Sequence, residues 1–175
     1  MSRYRAIHRP VLGGKQTVSS SGINLSPLPE GSIIHVLAKQ DGSDLAPLLS
    51  SLTAGQANAV RWVPPGQWFV VTDQPLEHDA LATVFMTSHP QATAVDQSHG
   101  RVRIRVGGRM AERVLSKGTA VDLSQLPVGG SATTLVGHIA AHITRVDQES
   151  FELIVLRGFA ESLWGDLVGM SAEYM

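Results

Sequence analysis

Two stretches of the 175-residue chain bring together side chains that could do chemistry. The first is VDQSHG, residues 95–100, in which Asp96, Ser98 and His99 offer a carboxylate, a hydroxyl and an imidazole. A serine nucleophile needs a base within hydrogen-bond reach and a third group to orient that base. Ser98 and His99 are adjacent, and neighbours on an extended strand point to opposite faces, so this pair is separated in space. Asp96 and Ser98 can share a face, but two oxygens without a base make a turn or a strand-edge cap rather than a catalyst.

The second stretch is HIAAH, with His138 and His142 four apart. On a helix both rings would share a face as metal ligands. The alternation of Leu135, Gly137, Ile139, Ala141 and Ile143 instead favours a strand, although Leu135, Ile139 and Ile143 also fit a helical period. On a strand rising about 3.3 Å per residue the rings would stand about 13 Å apart, too far to chelate one ion. The glutamate of the HExxH pattern is also missing, so the expectation is partly exposed strand histidines. VGGRM lacks the spacing of a dinucleotide loop, and GGKQT lacks the order of a P-loop. No catalytic, cofactor-binding or metal-ligating residue is assigned.

Three other features could meet a partner. Arg101, Arg103 and Arg105 alternate with Val102, Ile104 and Val106, which turns the aliphatic residues to a core and the arginines to water or an acidic partner. Trp62 and Trp68 flank a Pro-Pro-Gly turn, where they pack across a hairpin or line a groove. Arg5 and His8 sit in a basic N-terminal segment. Composition narrows the partners: a net charge of -1 leaves no basic footprint for nucleic acid or an anionic membrane. The absence of cysteine excludes disulfides, thiolate metal sites and cysteine nucleophiles. With no secretory h-region and no apolar run long enough to span a bilayer, the expected location is the cytoplasm.

The elements that must position these residues follow from periodicity. Residues 1–30, with GG, SSSG and SPLPEG, read as an extended N-terminal arm. Then come a strand at 32–39, a helix at 42–52, a hairpin over 60–73 and a helix over 75–86. The second half repeats the plan: a strand at 101–106, a helix at 108–118 burying Met110, Val114 and Leu115 with Gly118 as its stop, then strands over 133–147 and 150–158. A closing helix follows over 159–170, with Phe159, Leu163, Trp164 and Leu167 at helical spacing. The predicted fold class is α+β: two βαββα halves of the split βαβ, ferredoxin-like type, about 31–98 and 99–175, in one domain.

Three segments, RWVPPGQWFVV, VDQSHGRVRIRVGGRMAERVLSKGTAVDLSQLPVG and FELIVLRGFAESLWGDLV, resemble the gamma subunit of heterotetrameric sarcosine oxidase over roughly residues 33–170. More distantly they resemble the folate-binding domain of glycine-cleavage aminomethyltransferases and related tRNA-modifying proteins. Asp96, Ser98, His99, Gly107, Lys117, Gly118, Asp122 and Leu123 match the gamma pattern. Gly100 and Arg101 stand where a basic pair is common, and Gly107-Gly108 replaces a more usual Gly-Pro. The resemblance implies a folate-binding-domain-like fold in a complex that demethylates sarcosine oxidatively to glycine, with peroxide as by-product. It further implies FAD, FMN, NAD and tetrahydrofolate in partner subunits and no cofactor in this chain. The implied partners are alpha, beta and delta subunits, mainly alpha, with Arg5, His8, Trp62, Trp68, Arg101, Arg103 and Arg105 as the candidate interface. Related complexes act on other N-methylated amino acids. A stand-alone folate-binding or aminomethyltransferase-like protein and a general interaction module are the alternatives.

Overall fold

The computed structural model describes residues 9–39, 44–53, 55–77, 79, 82–83 and 92–175. Arg5 and His8 lie outside the described residues, as does half of the helix expected over 75–86, of which Asp79, Ala82 and Thr83 are helical. No described helix is long and apolar enough to cross a membrane.

In the first half, β-branched SIIHVLA forms a strand, Ser32–Ala38 (β3), whose Ile34 and Val36 turn one way and Ile33 the other. Helix α1 (Ala46–Leu52) has a proline in its first turn and lays Leu49, with the preceding Leu45, on Ile34, Val36, Trp68 and Val70. Strands β4 (Val60–Val63) and β5 (Gln67–Thr72) form the expected hairpin, with Trp62 opposite Trp68. Strand β6 (Ala92–Asp96) pairs with β3, giving the order β4-β5-β3-β6.

In the second half, β7 (Arg101–Gly107) leads into α2 (Ala111–Ser116), a 3₁₀ turn (Leu123–Gln125) and strands β8 (Ser131–Val136), β9 (Ile139–Asp147) and β10 (Ser150–Leu156). Helix α3 (Ala160–Ser171) closes it. The single strand expected over 133–147 is two strands. Gly137, at φ +60°, takes the first position of a two-residue turn, and β8 folds back so that Val136 meets Ile139. Helix α2 is also shorter than expected, with Met110 only partly buried, and Phe159 is 52% exposed rather than packed. Gly108 has φ +101° and donates its N–H to the Glu149 carbonyl, neither of which a proline could do, so the second glycine of the pair is required here.

The segment read as an extended arm carries β1 (Val18–Ser19) and β2 (Asn24–Pro27), and β2 pairs antiparallel with β7. Ile23 and Leu25 are fully buried in the core of the second half. The sheet order is therefore β1-β2-β7-β10-β9-β8, and β2 stands beside β7 as β6 stands beside β3.

The helices cover the outer faces of both sheets. The inner faces meet through Ile33, Val63, Phe69, Val71 and Ile154, which gives four layers: helix, sheet, sheet, helix. This stacking corrects the reading of RVRIRV. Val102, Ile104 and Val106 do face the helix-side core, but the arginine face meets the other sheet: Arg103 is only 5% exposed and Arg101 partly buried, and Arg105 alone stays exposed at the rim.

Candidate functional site

The inner faces hold two polar clusters. Glu152 stands on β10 directly opposite Arg105 on β7, so pleat and register put their side chains on the same, inner face. Glu152 Oε2 accepts hydrogen bonds from Arg103 Nη2 at 2.9 Å and from Arg61 Nη2, which reaches across from β4, at 2.5 Å. Glu152 Oε1 accepts one from Arg105 Nη2. Arg103 Nη1 donates to Asp73 Oδ1 at 2.7 Å, and Arg61 Nε to the Asn58 carbonyl at 3.0 Å. Burial alone would raise the Glu152 pKa, but the Arg61 and Arg103 charges, with hydrogen bonds from Arg61 and Arg105, outweigh it and hold the carboxyl at about 2. Arg61 is pulled below its ordinary value by burial, against the pull of Glu152, yet the pair remains ionised. The cluster borders a cleft of about 290 Å³, also lined by Gln56, Asn58, Asp147 and Ser150.

The second cluster surrounds Phe69. Arg101 lies over its ring at 4.8 Å, the His35 ring stands 4.8 Å away and the His142 ring meets it edge-on at 5.3 Å. His142 is buried, not partly exposed, while His138 sits exposed in the β8–β9 turn, so the two histidines of HIAAH are on different elements. His142 Nε2 donates to the Trp62 carbonyl at 3.0 Å, which leaves Nδ1 unprotonated and without a partner. Burial, then the Arg61 and Arg101 charges, push its pKa down to about 4, so the ring is neutral at pH 7. Gln97 Nε2 donates to His35 Nδ1 and His35 Nε2 to Gln67 Oε1, which fixes a second neutral imidazole. No metal-binding group of three or more His, Asp or Glu occurs among the described residues.

VDQSHG forms the turn between β6 and β7. Asp96 Oδ1 accepts from the Ser98 amide at 2.9 Å and from its hydroxyl, and Ser98 Oγ accepts from the Ile33 amide at 3.0 Å. The serine thus fastens the turn to β3, and His99 is exposed beside it. The other family-pattern residues also hold junctions. Lys117 binds the Met170 carbonyl and Glu173, and Asp122 caps the 3₁₀ turn through the Ser124 amide. Gly107 and Gly118 lie at close approaches, to Ser150 and to Val136 with Met170.

The expected interface residues therefore separate. Trp62 is 52% exposed and Arg105 is accessible, whereas Trp68 packs in the first core and Arg103 lies between the sheets. Arg61, Glu152 and His142 were not expected as interior polar groups. The lone charges inside VRWV and FELIVL are the signals that pointed to the first two.

Comparison with known proteins places this geometry. The sarcosine oxidase, gamma subunit family model matches residues 32–173. Among solved structures, a chain of the heterotetrameric sarcosine oxidase from Corynebacterium sp. U-96, in complex with pyrrole 2-carboxylate, superposes with a TM-score of 0.81 at 17% identity, covering 95% of this chain and 96% of that one. The glycine cleavage system aminomethyltransferase T from Bartonella henselae superposes at 0.61 with 14% identity; 85% of this chain is covered, but only 46% of that enzyme. A search of curated proteins finds no significant sequence match. The folate-binding-domain-like α+β fold is thus shared with both, and by its family match the chain belongs to the sarcosine oxidase gamma subunit family.

Proposed function

We propose that this chain is a non-catalytic subunit that packs on the large alpha subunit of a flavin-dependent sarcosine oxidase in the cytoplasm, with beta and delta subunits completing the complex. FAD, FMN, NAD and tetrahydrofolate belong to the partners in this reading. The observation that carries it is the state of Ser98: its hydroxyl is bonded to Asp96 and to the Ile33 amide, so the serine holds a turn rather than attacking a substrate. The family match over residues 32–173 supports the assembly. The exposed Trp62 is the anchor we assign to the partner contact, since buried aromatic side chains dominate interface energetics. Gentle purification of the tagged chain from its source, with native mass and visible absorbance recorded together, tests this. A heavy complex with flavin bands near about 450 nm is expected; a lone colourless chain overturns it.

The likeness to an aminomethyltransferase favours a second reading, folate binding by the chain itself. Saturating tetrahydrofolate would then raise the melting temperature of the isolated chain, and an unchanged value rejects it.

A further inference from the structure

We propose that the cleft beside Glu152 binds a small carboxylate anion. Three guanidiniums, Arg61, Arg103 and Arg105, line it against Glu152, buried among them, and Asp73 at the rim. Both Glu152 oxygens are already engaged, Oε2 by two arginines and Oε1 by the third. Arg61 and Arg103 are 3% and 5% exposed, and Arg61 Nη1 and Arg103 Nε are buried with no hydrogen-bond partner. Asp147, also on the lining, accepts from the Gln148 amide within its own turn. The lining sets three arginines against three carboxylates, Glu152, Asp73 and Asp147, so it is not a net charge but the unpartnered Arg61 Nη1 and Arg103 Nε donors that call for an acceptor.

The cleft is braced so that these donors stay in place. Asn58, held at φ +59°, takes the Arg61 Nε–H on its carbonyl and donates its side-chain amide to the Val146 carbonyl of the other sheet at 3.1 Å. A volume of about 290 Å³ admits a molecule of several heavy atoms. Planar guanidiniums pair best with planar carboxylates, and Arg105, 44% exposed at the mouth, has donors to spare for one. The site stands independently of the subunit reading above, because it needs only residues of this chain.

The test is titration of the full chain with sodium acetate, against sodium chloride at matched ionic strength, followed by amide NMR shifts. Acetate is expected to give saturable shifts confined to the segments around Asn58, Arg105 and Asp147, complete by about 100 mM, and to raise the melting temperature in parallel. Arg105→Gln, whose amide can still donate to Glu152 Oε1 from the exposed rim, should weaken the apparent affinity roughly tenfold. Asp73→Asn should strengthen it, because it removes a rim carboxylate that competes for Arg103. Non-saturating shifts, an equal response to chloride, or an Arg105→Gln chain that binds acetate as the wild type does would each overturn the site.

Discussion

Glu152 is the one carboxylate in the strand SFELIVL, and three arginines depend on it. Glu152→Gln keeps the shape but leaves Arg61 and Arg103 buried beside a neutral amide. A loss of about 3–5 kcal/mol of stability is expected, measured by urea denaturation at pH 7. Protonation does the same in the wild type: with a folded pKa of about 2 against 4.5 ordinarily, the contribution is complete above about pH 4.5 and drains as pH falls toward 2. His142 opens an earlier window. The folded chain holds it at about 4 against 6.5 ordinarily, so the unfolded state takes up the proton first, and stability is complete above pH 6.5 and falls down to about pH 4. In His142→Phe, denaturation across that range should lose most of its pH dependence while the lower window persists. Among the described histidines His35, whose pKa is also lowered, mainly by burial, adds to the same window.

At the scale of elements, β2 is a four-residue strand that supplies Leu25 to the core of the second half. Leu25→Ala should cost about 2–5 kcal/mol in the same urea assay, as much as a core position in a central strand. That importance was hidden in the sequence, because SGINLSPLPEG is short and dense in turn formers, so the same residues read as loop. Longer elements were legible: SIIHVLA, RVRIRV and FELIVL became strands, and Leu163, Trp164 and Leu167 the buried stripe of a helix. The β8–β9 turn was missed because apolar alternation runs unbroken through Gly137, and only its positive φ marks the reversal.

Across the whole molecule, the repeated plan was visible in the parallel between WFVVTDQPLEHDALATVF and FELIVLRGFAESLWGDLV. The stacking of the sheets was not, since alternation looks the same whether a strand's second face meets water or another sheet. Hence Arg103 and Trp68 were expected at a partner surface, whereas of their sets Trp62 and Arg105 remain exposed and Arg101 partly so. With Trp62 as the anchor, Trp62→Asp should weaken capture of the flavin-bearing partner at least about tenfold. The isolated chain should keep its stability within about 0.5 kcal/mol, as a surface substitution does. Equal capture by both chains would move the contact elsewhere.

The pairing of β2 with β7 also governs how the protein can be born on a ribosome. The first half can close its sheet from contiguous residues as they emerge. Leu25, by contrast, waits for Val106, about 80 residues later, which at roughly 5–20 residues per second is several seconds of synthesis. Throughout that interval Ile23 and Leu25 lack the strand that shelters them in the folded chain. A strand made before the first sheet thus enters the sheet made last, and that late clasp binds the halves into one unit.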